Sequence, residues 1–143
     1  MDETKVAEIS PAEWEVMRIV WTKNGAYSRD LIDMLQDKRQ WSASTVKTLL
    51  RRLVNKGMLE TTREDRRFKY NATVSESTAM NTTAEQLFDN LCAMKRGTTL
   101  LDLVANTTLS QGDIAALQAK LAEKAKSAPE HIECDCLPDD CEC

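Results

Sequence analysis

The sequence predicts a mainly α-helical chain with one small β-hairpin, organised as three successive regions. Three observations predict it. Apolar residues recur at helical spacing through most of the chain, with a capping signature ahead of each run. One short segment, 58–72, alternates instead and is rich in Thr, Phe and Tyr. The last ten residues hold four of the five cysteines.

The first region starts with Ser10-Pro11-Ala12-Glu13, a capping box with Pro at the first helical position. A helix over about 11–22 follows, with Val16, Ile19 and Val20 as its stripe and Trp14, Met17 and Trp21 beside it. Gly25 marks the break. Ser28 is positioned to cap a second helix, 29–38, striped by Leu31, Ile32, Met34 and Leu35. Ser42 or Ser44 begins a third helix that runs to about Lys56, with Gly57 as its stop. The three tryptophans read as packing anchors.

The third helix has two opposed faces. At 100° per residue, Val46, Leu49, Leu50, Leu53 and Val54 share one sector. The other carries Ser44, Thr45, Thr48, Arg51, Arg52 and Asn55, with Lys47 on its border. It has no carboxylate, whereas a merely solvated helix face usually mixes both signs. Cations with short hydroxyl and amide groups are the types that reach phosphates and base edges. The hairpin after it places Arg66, Arg67 and Lys69 at and beside its tip, with Phe68 and Tyr70 read as core. Three helices and a basic hairpin make a winged helix-turn-helix DNA-binding domain with a small β-hairpin wing, assigned to residues 1–73.

Charge supports that placement. The net charge of −4 argues against nucleic acid, but its distribution does not. Residues 1–72 sum to +3 and residues 73–143 to −7. Between Lys38 and Lys69 there are ten basic residues against three acidic. An enzyme finds little support: there is one His, no nucleophile–base spacing and no Gly-rich phosphate loop.

Residues 74–127 read as a helical dimerisation region. A helix over 75–95 carries Met80, Ala84, Leu87, Phe88 and Leu91, and Gly97 breaks it. Thr98 or Thr99 caps a short helix at 100–104. Ser110-Gln111-Gly112-Asp113 caps a last helix reaching about Lys126, striped by Ile114, Leu117 and Leu121. Three modest helices on an acidic surface cannot bury their apolar faces alone. A second copy would cover them and set two recognition helices on a palindrome. The alternative is one globule with these helices packed on the reader. Cys92 reads as a small buried hydrophobe.

Residues 128–143 form a Cys-rich metal-binding tail. Cys134, Cys136, Cys141 and Cys143 make a CxCxxxxCxC arrangement, with Leu137-Pro138-Asp139-Asp140 supplying turn chemistry between the pairs. Residues i and i+2 of an extended segment face one side, so each pair aims two sulfurs at one point. Thiolate-only ligation selects Cu(I), Zn(II) or iron–sulfur. A disulfide reading needs an oxidising compartment. The charged start Met1-Asp2-Glu3-Thr4-Lys5, with no apolar stretch after it, predicts cytoplasmic residence, with no membrane partner. His131 reads as a bystander to the sulfurs.

These motifs together resemble the penicillinase-repressor family (BlaI/MecI) of winged-helix repressors, and its copper-responsive CopY branch in particular. Residues Ile9–Trp21 are similar to the family's opening helix, Trp41–Gly57 to its recognition helix, and Arg66-Arg67-Phe68-Lys69-Tyr70 to its wing. The tail is similar to the CopY cysteine motif. At the wing tip the family often has Gly, and this chain has Asp65, which tolerates a left-handed turn. The resemblance implies a homodimeric repressor on palindromic double-stranded operator DNA with a TACA–TGTA core, upstream of copper-transport genes. It implies a Zn(II)-loaded form that holds DNA and release when Cu(I) replaces zinc, with a copper chaperone as candidate Cu(I) donor. The rival reading is a metal-buffering or copper-delivery protein with a metallothionein-like tail. A thiol redox sensor is a weaker variant of the regulator reading.

Overall fold

The computed structural model describes residues 6–138. It falls into two compact units, Met1–Ala84 and Glu85–Cys143, described in turn. In the first, α1 (Pro11–Lys23), α2 (Ser28–Arg39) and α3 (Ala43–Asn55) precede a hairpin of β2 (Leu59–Glu64) and β3 (Arg67–Ala72). A two-residue strand, β1 (Ala26–Tyr27), completes a three-stranded antiparallel sheet in the order β1-β3-β2. Helix α4 (Glu76–Asp89) begins in this unit.

Local chemistry sets the helix ends. The Ser10 hydroxyl accepts the Glu13 N–H while the Glu13 carboxylate accepts the Ser10 N–H, so the predicted capping box forms. Asn24 ends α1 in the left-handed region at φ 54°, and Gly25 follows at φ 103°. A Cβ on Gly25 would lie 2.7 Å from Lys69 Cε and 2.8 Å from Asn71 Oδ1, ends of side chains that can move aside, so the positive φ is what calls for glycine. Ser28 is not the cap of α2; Tyr27 holds that position and gives no side-chain bond. The reason is β1, which the sequence reading missed: pairing of Tyr27 with Lys69 fixes the extended backbone from which α2 starts. Ser42 caps α3 through the Thr45 N–H.

The core lies where these three helices meet the sheet. Val16, Met17, Val20, Leu31, Leu35, Val46, Leu49, Leu50, Leu53, Met58 and Leu59 are buried there. Burying each such large side chain contributes roughly 1.5–3 kcal/mol. Trp14, Trp21 and Trp41 pack against this cluster, and Trp21 Nε1 donates to the Val74 carbonyl at 2.9 Å. Val54, expected with the stripe, is 37% exposed because it sits at the stripe's edge in the last turn. Phe68, expected in the core, is 51% exposed. Its neighbour on the same face, Tyr70, is opposite Ala26 and packs on the core; Phe68 lies two residues nearer the tip, past the end of β1.

Glu13 is buried, yet charged. Burial pushes its carboxyl up, but hydrogen bonds from the Lys56 ammonium (2.7 Å) and from Ser10 outweigh this and hold it below its ordinary value. Lys56 also donates to the Glu8 carbonyl, so one cation ties α1, the segment before it and the end of α3.

The second unit is built differently. The chain does not run as one helix over 75–95. Helix α4 ends at Asp89, Ala93–Lys95 form a 3₁₀ turn, and α5 (Arg96–Asn106) follows directly. Gly97 therefore lies inside α5 rather than breaking a helix, and the cap is not Thr98 or Thr99. Arg96 braces the joint: its Nε donates to the carbonyls of Phe88 (2.7 Å), which also accepts the Leu91 N–H, and of Leu91 (3.1 Å) just past the end of α4. Helix α6 (Gln111–Ala125) starts from the predicted Ser110–Asp113 capping box. Leu100, Leu101, Leu103 and Val104 on α5, and Ile114, Leu117 and Leu121 on α6, are all 40% exposed or more. Among the described residues no helix is long and apolar enough to cross a membrane.

Candidate nucleic-acid interface and thiol site

Helix α3 sorts its side chains as its sequence pattern requires. Val46, Leu49, Leu50 and Leu53 are buried, while Ser44, Thr45, Lys47, Arg51, Arg52 and Asn55 are exposed and Thr48 is half-exposed. The hydroxyls have local work: Thr45 Oγ1 pairs with Ser42 Oγ at 3.0 Å, and Thr48 Oγ1 donates to the Ser44 carbonyl at 3.0 Å. Among the described residues, Lys47, Arg51 and Arg52 make no ion pair.

The remaining basic residues of segment 38–69 divide into two groups. Lys38, Arg39 and Lys56 are spent inside the domain. Lys38 Nζ lies 2.9 Å from Glu15, Arg39 pairs with the same carboxylate, and Lys56 pairs with Glu13. Hydrogen bonds first from Lys38 and then from Arg39 lower the Glu15 pKa from 4.5 to about 2. The outward set is Lys47, Arg51 and Arg52 on α3 with Arg63, Arg66, Arg67 and Lys69 on the wing.

The wing's tip turns through Asp65 at φ 57°, the left-handed conformation its sequence allows. Arg66 is exposed in that turn. Arg67 and Lys69 are held from below by a residue the sequence reading passed over. The Arg67 guanidinium lies 4.2 Å from the Tyr27 ring centroid and Lys69 Nζ 6.0 Å from it, both in cation–π range. The Tyr27 hydroxyl donates to the Glu64 carboxylate, a bond that raises the phenol's pKa and ties the wing's outer end to β1. The available signal was an aromatic residue just before a helix, which by itself points nowhere.

In the second unit, three sulfurs converge. Those of Cys92, Cys134 and Cys136 lie within 4.8 Å of one another. Cys92 is half-buried and caps the 3₁₀ turn after α4, so it is no buried hydrophobe. Its Sγ is 3.7 Å from that of Cys134, and the Cys136 N–H donates to Cys134 Sγ at 3.4 Å. Burial pushes the Cys92 thiol up, but the Cys136 thiol and the N–H groups of Met94 and Lys95 outweigh it and favour the thiolate. Donating to Cys92 pushes Cys136 up in turn. Asp135, between the two tail cysteines, accepts the Ala93 N–H at 2.8 Å and faces Arg96 at 3.5 Å; the Ala93 bond leads in lowering its pKa. Cys141 and Cys143 lie outside the described residues, and His131 is exposed, apart from the sulfur group. Cys134 is disulfide-bonded in this structure; with it reduced, an all-sulfur donor set at this spacing fits a soft or borderline cation, Cu(I) or Zn(II).

A cation-bearing helix and wing on one unit, with clustered cysteine sulfurs on the other, define a winged-helix DNA-binding protein. The chain belongs to the penicillinase repressor family, whose profile matches residues 9–123. It is 57% identical over 136 residues to a 16.5 kDa protein from the ptsI 3′ region of Latilactobacillus sakei, covering 95% of this chain and 93% of that one. It is 34% identical to the methicillin resistance regulatory protein MecI of Mammaliicoccus sciuri, over 85% of this chain and 99% of that one. A solution structure of the monomeric Bacillus licheniformis BlaI in complex with the blaP half-operator shows 37% identity over 51% of this chain and 89% of that one, with a TM-score of 0.47. The protein is accordingly a transcriptional repressor of this family and not an enzyme.

Proposed function

We propose that this repressor is copper-responsive: a homodimer grips a palindromic operator while its tail sulfurs hold Zn(II), and lets go when they take Cu(I), derepressing copper-transport genes. The observation that carries the reading is the gathering of the sulfurs of Cys134 and Cys136, from the tail, with that of Cys92 on a chain of this repressor family. Operator contact falls to α3 in the major groove, with Ser44, Thr45, Lys47, Thr48, Arg51, Arg52 and Asn55 facing base edges and phosphate. Arg66, Arg67 and Lys69 grip the neighbouring backbone. The exposed leucines of α5 and α6 are the surface a second copy would cover.

Charge constrains the switch. Four thiolates around one Zn(II) and four around two Cu(I) carry the same net charge. Release then works through geometry rather than repulsion from DNA. A tetrahedral arrangement asks the tail to bring four sulfurs to fixed corners, whereas two- or three-sulfur coordination lets it close on itself. A copper chaperone is the candidate donor.

The test is a gel shift on a palindromic duplex at fixed salt, with Zn(II) first and then Cu(I). Release on Cu(I), lost when Cys134 and Cys136 are both replaced by Ser, is expected. Equal retention of the duplex with either ion would sink the copper reading and leave a repressor with a different signal. A metal-buffering protein would show no salt-dependent operator binding.

A further inference from the structure

We propose that Cys92 is itself a ligand of the tail's metal site, so that bound metal fastens the first CxC pair to the joint between α4 and α5. This rests on the reading that the tail thiolates hold metal, and adds a sulfur from outside the tail motif.

The geometry is already close to a coordination sphere. Sulfurs bonded to one ion at about 2.3 Å stand roughly 4 Å apart in trigonal or tetrahedral arrangement. Cys92 Sγ and Cys134 Sγ are 3.7 Å apart, and no sulfur pair of the three exceeds 4.8 Å. Once the disulfide at Cys134 is reduced, metal entry needs about an ångström of sulfur movement or less.

The seat is built by groups that are not themselves ligands. Asp135 takes the Ala93 N–H with one oxygen and faces Arg96 with the other. Arg96 in turn bonds the carbonyls of Phe88, Asp89 and Leu91 at the end of α4. The residue between Cys134 and Cys136 is therefore latched to the residue after Cys92. The Cys136 N–H donates to Cys134 Sγ, so the backbone curls here instead of alternating, and Asp135 pinned to the joint keeps both neighbouring sulfurs beside Cys92. A half-buried cysteine serving only as packing would need none of this.

Three thiolates in a plane suit Cu(I), and three with one further sulfur suit Zn(II). Cys134 is disulfide-bonded in the structure, so loading starts with a thiol reductant, which supplies the two electrons and two protons that open its S–S bond. Each of the three thiols then gives its proton to solvent as its sulfur–metal bond forms, and the ion enters and stays in one oxidation state. The consequence is mechanical. Helix α5 starts at Arg96, four residues after Cys92, and carries the exposed Leu100, Leu101, Leu103 and Val104. The number and angles of bonds at Cys92 then set how that helix leaves α4, which places metal occupancy directly against the proposed dimer surface.

The experiment uses the full chain, reduced and anaerobic. Cu(I) is titrated against a competing chelator, and Co(II) replaces Zn(II) so that thiolate-to-metal absorption can be read. Cys92→Ser is expected to weaken binding at least as much as losing an outer-shell partner, roughly 10–100-fold, and to lower the charge-transfer band. Unchanged affinity and band for both ions would overturn the assignment. Because the substitution could disturb the joint, a second measurement uses the unaltered protein: alkylation with iodoacetamide, read by mass spectrometry. Metal should shield Cys92 together with Cys134 and Cys136, and chelation should restore all three. Alkylation of Cys92 at its metal-free rate while the tail is shielded would overturn the proposal. Neither readout involves DNA. A protein that loads metal through Cys92 yet keeps its operator in Cu(I) would sink the copper-repressor reading and leave this site standing.

Discussion

The two units of this chain solve the burial problem in opposite ways. In Met1–Ala84 the helix stripes meet one another and the sheet, and every buried hydrophobic residue among those described lies between Val6 and Ala79. In Glu85–Cys143 no described residue is buried, although α6 opens on a capping box just as α1 does. Capping contributes only about 1 kcal/mol per helix, far less than a core does. The first unit therefore specifies itself. The second has the local signals of structure without a buried core of its own; we propose that a second copy covers its leucines and a metal its sulfurs.

That contrast can be broken most forcefully in the first core. Leu53→Ala removes a fully buried side chain and should cost about 2–5 kcal/mol in denaturant unfolding, independent of protein concentration. In the second unit, Leu101→Glu combined with Leu121→Glu should leave that transition in place and convert a dimer to monomers in analytical ultracentrifugation. A pair that still sediments as wild type would move the dimer contact elsewhere. On the DNA face, Arg51→Ala should weaken operator binding by about 1–3 kcal/mol if it reads a base, measured against a scrambled duplex. Equal loss on both would make it a phosphate anchor.

Within the first unit, Gly25→Ala should destabilise by about 1–2 kcal/mol, since alanine is strained at this left-handed backbone, while Lys69 and Asn71 can move aside. The smallest effect is electrostatic. The folded state holds Glu15 at about 2 against its ordinary 4.5. A depressed carboxylate stabilises the fold above its unfolded pKa and loses that contribution as pH falls through the folded one. The advantage of the wild type over Glu15→Gln should thus be full above about pH 4.5 and fade toward about pH 2, seen as converging melting temperatures. Parallel melting curves down to pH 2 would mean Lys38 and Arg39 contribute nothing through this carboxylate.

Much of the fold is local in origin, and so could be read from the chain. The Ser10 and Ser110 boxes, the Ser42 cap, the two-faced α3 and the turn at Asp65 each depend on residues within a few positions of one another. The misread residues depend on distant partners. Phe68 alternates correctly for a core position, but how far the core extends under the wing is set by where β1 stops. Cys92 has apolar neighbours at helical spacing, and only the ending of α4 at Asp89, braced by Arg96, takes it out of that stripe. Lys38, Arg39 and Lys56 looked like part of the DNA-facing charge until Glu15 and Glu13 were found across the helices from them.

By itself the sequence determined the helices of the first unit, the polarity of α3 and the presence of a sulfur-rich end, because periodicity, caps and ligand type are properties of neighbouring residues. Only the tertiary structure decided which cations point outward and which cysteine meets the tail. Both depend on groups 24 to 44 positions apart, from Glu15 to Arg39 and from Cys92 to Cys136, and only folding brings side chains that far apart in sequence within a few ångströms.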